Sequence, residues 1–197
     1  MLTMQEQQKL ERAVDTSACE MDIGILICLY TGIRIGELCA LTWQNIDLYR
    51  GMMVINQTVY RVKCVDGKAK TMLNISTPKS ASSIREIPIP KFLVERLKAM
   101  EQNSAYIIHK DGKMLEPATY ARRYKKVLKN AGIRYIKFHA LRHTFATRAL
   151  EIGMDTKTLS EILGHASTTI TMNLYAHSLP EHKRKEMERL GSLFHLK

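Results

Sequence analysis

Six side chains in this sequence have the types needed to work on a phosphate, and they fall in short clusters. Arg34 lies in Thr31-Gly32-Ile33-Arg34-Ile35-Gly36-Glu37-Leu38, and Lys79 in Thr77-Pro78-Lys79-Ser80. His139 and Arg142 belong to His139-Ala140-Leu141-Arg142. His165 follows Leu163-Gly164, and Tyr175 comes ten residues later. A guanidinium is a planar fork matched to phosphate oxygens. An imidazole can pass a proton near neutral pH. A tyrosine hydroxyl is a poor nucleophile unless cations surround it, and Arg34, Arg142 and His165 could supply that field. No acidic cluster accompanies them to hold a metal. Together they suit the attack of a hydroxyl on a phosphodiester.

Each cluster alone has a plainer reading. His139 and Arg142 share a helix face at i,i+3, as a solvated surface pair would. Arg34 starts at a helix N-terminus, where anions are favoured. Glu37, three residues on, could hold its guanidinium in place or simply form a surface ion pair of little worth. Lys79 sits in a turn with Lys63, Lys68 and Lys70 nearby. Tyr175 competes with Tyr30, Tyr49, Tyr60, Tyr106, Tyr120, Tyr124 and Tyr135. His139 and His143 have the spacing H-x-x-x-H, but no Glu lies between them as a base and Arg142 would repel a cation, which disfavours a metal site.

The elements that must position these residues follow from periodicity and punctuation. Thr3-Met4-Gln5-Glu6 is a capping box, predicting a helix to about Val14. An apolar helix is expected from Ala18 to Tyr30, ended by Thr31-Gly32, and a short one from Ile35 to Leu41. Met52 to Tyr60 alternates and is β-branched, Arg61 to Ile75 reads as a hairpin turning at Asp66-Gly67, and Ile84 to Ile89 is a further strand. The stretch 52–89 therefore reads as one small antiparallel sheet inserted in a helical domain. Helices resume over Lys91 to Gln102, Pro117 to Ala131, His139 to Ile152 and Thr156 to Leu163, with a short strand over Tyr106 to His109. Ser167 can cap a helix to about Asn173, and Pro180 to Leu190 reads as a last one. The fold class is α+β, mainly α.

A length of 197 residues suits one domain with a sizeable core. The formal net charge is +11. A basic surface attracts polyanions, although an inert solvated surface would give the same count. Arg122, Arg123, Lys125, Lys126 and Lys129 concentrate on the predicted helix at Pro117 to Ala131, where they could touch backbone phosphates. The four cysteines (Cys19, Cys28, Cys39, Cys64) lack C-x-x-C spacing, which points to a reducing compartment such as the cytoplasm. The apolar run Ile23 to Tyr30 is too short to span a bilayer, and no signal peptide is visible. Met187, Leu190 and Phe194 recur at i, i+3 and i+7 in the charged tail. This apolar stripe either packs on its own domain or docks on a neighbouring protomer.

These pieces together resemble the catalytic domain of the tyrosine recombinases, the phage integrase family, and within it the integrases of conjugative transposons. The matching segments are 31–38, 77–80, Ile87-Pro88-Ile89, His139 to Thr147, Leu163 to Ser167 and Tyr175-Ala176-His177, in family order. The resemblance implies a catalytic set of Arg34, Lys79, His139, Arg142, His165 and Tyr175, supported by Glu37. It implies that Tyr175 attacks a scissile phosphate to form a 3′-phosphotyrosine, that Lys79 protonates the leaving 5′-oxygen, and that neither ATP nor a metal cofactor is needed. It also implies double-stranded DNA as substrate, a tetramer at synapsis formed from a chain that is a monomer alone, accessory excision or DNA-bending proteins, and a bacterial cytoplasmic, nucleoid-associated location. Residues 1–179 would be the catalytic domain and 180–197 a helical tail docking in trans. The sequence shows no counterpart of the core-binding and arm-binding domains that commonly precede this domain, which puts site selectivity in doubt but not the chemistry.

Overall fold

Thr3 opens the first helix, α1 (Met4–Asp15): its hydroxyl accepts from the Glu6 N–H, and the Glu6 carboxylate accepts from the Thr3 N–H. The computed structural model describes residues 1–63, 71–77, 84–165, 184 and 187–192. Helix α2 (Ile23–Thr31) is apolar on all sides, and every residue but Tyr30 is buried, which makes it the central helix. It starts later than its sequence predicts. The buried Asp22 carboxylate takes hydrogen bonds from Ser17 (2.6 Å) and from the Arg123 guanidinium (2.6 and 2.8 Å). Those bonds accompany a 3₁₀ turn over Glu20–Asp22 instead of α-helix.

Gly32 ends α2 with φ +68°, and a Cβ there would lie 2.6 Å from the Phe145 ring and 2.7 Å from Leu163. Only glycine fits both the left-handed backbone and that approach. The chain then turns directly into α3 (Ile35–Ala40).

The β-stretch differs from its expected form. Strands β1 (Ile46–Asp47), β2 (Met52–Ile55) and β5 (Arg85–Pro88) make one antiparallel sheet in the order β1-β2-β5, with Met53 opposite Ile87. Strands β3 (Thr58–Lys63) and β4 (Thr71–Ser76) form a separate hairpin, from Thr58 opposite Ser76 to Lys63 opposite Thr71. The alternation across Met52 to Tyr60 reads as continuous, but Asn56-Gln57 interrupts it, and the Asn56 side chain accepts from Asn45 instead (3.2 Å). The Asp66-Gly67 turn and the Thr77-Pro78-Lys79-Ser80 turn lie outside the described residues, Thr77 excepted.

Helix α4 (Lys91–Lys98) is shorter than expected: Leu93, Val94 and Leu97 are buried, whereas Glu101, Gln102 and Asn103 are exposed and give a longer helix no face to bury. The strand expected at Tyr106 to His109 begins only at its end. Tyr106 makes an isolated bridge to Thr42, and the ladder is β6 (His109–Lys110) with β7 (Lys113–Met114) around Asp111-Gly112, both at positive φ. Helix α5 (Pro117–Asn130) starts on Pro117 and buries Tyr120, Tyr124, Val127 and Leu128, with both tyrosine rings edge-on to Phe138.

Helix α6 (Ala140–Glu151) packs on α2. Helix α7 (Thr156–Leu163) opens on Asp155, whose side chain accepts from the Thr158 N–H (2.9 Å). Leu159 and Leu163 of α7 join Ala146 and Ala149 of α6 in a small second core. In the tail, Arg184 and residues 187–192 are helical, with Met187 and Leu190 exposed. Phe194 and the helix expected after Ser167 lie outside the described residues. No helix among the described residues is long and apolar enough to cross a membrane.

Candidate active site

The last carbonyls of an α-helix have no partner within the helix. At the end of α7 two of them are closed locally. The His165 N–H donates to the Ser160 carbonyl (3.1 Å) and the Gly164 N–H to that of Glu161 (3.0 Å), with Gly164 at φ +63°. The next three are closed by three different arginines. Arg85 Nε donates to the Ile162 carbonyl (2.6 Å), Arg142 Nη2 to that of Leu163 (2.8 Å) and Arg34 Nη2, at the longer distance of 3.4 Å, to that of Gly164. The negative end of the helix dipole favours cations there. Bonds from a charged donor contribute about 1.5–3 kcal/mol each. One helix terminus thus gathers three guanidiniums from β5, α6 and the start of α3, immediately before His165.

Arg142 is buried, and its Nη1 also donates to the Gly32 carbonyl (2.8 Å), tying the end of α2 to the end of α7. Arg34 is the cap residue of α3 and its side chain is 40% exposed, the most open of the three. Glu37 joins two of the arginines. Its Oε1 accepts from Arg34 Nη1 (2.8 Å) and Arg85 Nη1 (3.1 Å), and its Oε2 from the Arg34 N–H (2.8 Å) and Arg85 Nη2 (2.9 Å). Burial pushes the Glu37 carboxyl up, but the hydrogen bonds and charge of Arg85, with those of Arg34, hold it below the usual carboxylate value. Gly164 is needed here twice over: a Cβ would also lie 3.0 Å from the Arg85 side chain.

Arg85 was not singled out by sequence reasoning. The signal was available: in β5, Arg85 has the same phase as the buried Ile87, so it points inward, and a charged residue at an inward position needs a partner.

His139 caps α6 instead of beginning it, and its ring meets that of His143 edge-on at 4.7 Å. Partial burial, followed by the charges of His143, Arg142 and Arg34, lowers its pKa. His165 is pushed down to about 4, by burial first and then by Arg142, Arg34, Arg85 and His139. Arg34, Arg142, His139 and His165 therefore share one electrostatic neighbourhood. Near pH 7 both imidazoles are neutral, so His139 can accept a proton and His165 can donate a hydrogen bond without charge. Lys79 and Tyr175 lie outside the described residues. Among the described residues no three His, Cys, Asp or Glu side chains come together as a metal site would require.

On α5, Arg122, Lys125, Lys126 and Lys129 are exposed, with Lys125 over the Tyr135 ring (5.3 Å). Arg123 differs from them: its guanidinium grips Asp22 with two bonds and helps hold α5 to the start of α2.

The model of the phage integrase family matches residues 1–182. The chain belongs to that family. It is 36% identical over 191 residues to the XerC-like tyrosine recombinase of Caldanaerobacter subterraneus subsp. tengcongensis, covering 86% of this chain and 48% of that protein. It is 30% identical over 217 residues to the transposase from transposon Tn916 of Enterococcus faecalis, covering 96% and 51%. The chain thus spans about half the length of these relatives. Among solved structures, the Tn1549 transposon integrase in complex with circular intermediate DNA superposes with a TM-score of 0.78 at 26% identity, over 96% of this chain and 66% of that one. The catalytic domain of bacteriophage HP1 integrase shares the fold, with a TM-score of 0.63. The mainly α fold with small antiparallel sheets is that of a tyrosine recombinase catalytic domain.

Proposed function

We propose that this chain is the catalytic part of a site-specific DNA recombinase that integrates or excises a mobile element by cutting and rejoining strands. The observation that carries this reading is the gathering of Arg34 and Arg142 beside His165 at the end of α7. The family membership and the transposon enzymes among its relatives point the same way. In the reaction, the Tyr175 phenol oxygen bonds to a scissile phosphorus and the bond to the 5′-oxygen breaks. His139 takes the phenol proton, and Lys79 gives a proton to the leaving 5′-oxygen. Arg34 and Arg142 hold the nonbridging oxygens where negative charge accumulates, with a further hydrogen bond from His165. Glu37 supports Arg34. Attack by another strand's 5′-hydroxyl reverses the step. The covalent link conserves the bond energy, so no nucleotide or metal enters the scheme, and positioning carries the catalysis.

The partner is double-stranded DNA, whose phosphates Arg122, Lys125, Lys126 and Lys129 contact without reading bases. The active assembly is a tetramer at synapsis, built from chains monomeric off DNA and aided by accessory excision or DNA-bending proteins. The helical tail docks on a neighbouring protomer, and the protein works in the bacterial cytoplasm at the nucleoid.

The test is a duplex nicked beside the cleavage site, from which the cut product diffuses away. An adduct that survives denaturation should accumulate, persist in EDTA and disappear in Tyr175→Phe. An adduct unchanged in Tyr175→Phe would remove the nucleophile assignment, and loss of cleavage in EDTA restored by one metal would remove the scheme.

A further inference from the structure

A buried carboxylate beside a catalytic arginine poses a problem of charge. Glu37 is almost fully buried and bonds Arg34 through both its oxygens. Taken alone, Arg34 and Glu37 would form a neutral pair. The carboxylate would then compete with a phosphate for the guanidinium, in surroundings where charge is poorly screened. The structure places a second, more deeply buried arginine on the other side of the same carboxylate. Arg85 meets Glu37 with two N–H groups, at 3.1 and 2.9 Å, and is itself fixed by the Ile162 carbonyl and by Gly164. With Arg85 present, the trio of Arg34, Glu37 and Arg85 carries one excess positive charge, and Arg34 is its most exposed member.

We infer that Arg85 is a positioning residue for strand cleavage: it neutralises Glu37 so that Glu37 can aim Arg34 without cancelling the charge that Arg34 offers to the scissile phosphate. It acts through Glu37 and Arg34 and not on the DNA. The same side chain fixes the α7 terminus that precedes His165, so β5, α3 and α7 are set as one unit. This inference rests on the recombination reading above and adds a role for a residue that reading does not use.

A charge role and a role as a mere prop make different predictions. The measurement is the single-turnover rate of adduct formation on the nicked duplex at saturating DNA, with the Kd for intact duplex measured alongside. Arg85→Met should slow cleavage about 100-fold, the size of effect seen when one contact to a developing oxyanion is lost, with little change in Kd. Removing the unneutralised charge should restore much of that loss, so Glu37→Gln combined with Arg85→Met should cleave at least about tenfold faster than Arg85→Met alone. The Arg85→Met deficit should also shrink as pH falls, because protonating Glu37 does what the glutamine does. Arg85→Lys, which keeps the charge and loses the fork, should stay within about tenfold of the wild-type rate. It serves as the deciding variant if thermal melts show Arg85→Met unfolded. Three results would overturn the inference: a double variant no faster than Arg85→Met, an Arg85→Lys rate as low as that expected for Met, or Arg85→Met cleaving like wild type. Wild type forming no adduct at all would instead overturn the recombination reading beneath it.

Discussion

The molecule holds positive charge in two different ways. At the end of α7, three arginines are fixed on consecutive carbonyls, two of them buried and two sharing one buried carboxylate. On α5, Arg122, Lys125, Lys126 and Lys129 stand in solvent. The first arrangement orients charge and shields two of its three guanidiniums from water, so it can act on one phosphate at one place. The second is screened within about 8–10 Å by salt and can attract a polyanion without choosing a point on it. Net charge alone cannot tell these apart. Burial and hydrogen-bond partners do.

Substitutions should separate the two regions, and the largest effect belongs to the buried one. Arg142→Gln should slow adduct formation at saturating DNA by about 10²–10³-fold. It should also lower the urea midpoint, because two buried carbonyls lose a charged donor, at roughly 1–3 kcal/mol each. Arg123 gives a contrast inside α5 itself. Arg123→Gln leaves the buried Asp22 without its charged partner and should cost roughly 3–5 kcal/mol of stability in denaturant titration, with little effect on the salt dependence of binding.

The buried region should also respond to pH. His165 titrates near 4 in the folded chain and near 6.5 when unfolded. Between those values the unfolded state binds the proton and the native state does not, so stability falls as pH drops from 6.5 towards 4. Urea midpoints across pH 4–7 should show this decline, and His165→Asn should flatten it. His139 and His143 shift in the same direction and leave a residual slope. The smallest effect belongs to the solvated face. Lys126→Gln should reduce the slope of log K against log salt by about one and leave the rate at saturating DNA nearly unchanged. A loss of rate there comparable to that of Arg142→Gln would erase the distinction between the two regions.

Much of the frame was legible in the sequence because it is local. The Thr3 capping box, the glycine stops at Gly32 and Gly164 and the Asp155 cap are chemistry between near neighbours, and all four appear where spacing puts them. The family resemblance rested on short runs that stay together along the chain. What escaped depends on partners far apart in sequence. The late start of the α2 helix goes with Arg123 reaching Asp22 across 101 positions. Where the sheet splits, Asn45 meets Asn56 between two runs that otherwise alternate as one. Arg85 was missed because its partners, Glu37 and Ile162, lie 48 and 77 positions away. Its inward phase was visible beforehand, but what it bonds to was not.

If the reaction runs as proposed, the reacting phosphate sits at the guanidiniums of Arg34 and Arg142 at the end of α7. A crystal structure of the Tyr175→Phe chain on an uncut duplex carrying its recombination site would show whether it does. One backbone phosphate should lie with its nonbridging oxygens about 2.7–3.2 Å from the guanidiniums of Arg34 and Arg142, with His165 alongside. A duplex lying along α5 with no phosphate within reach of Arg34 or Arg142 would contradict the proposal.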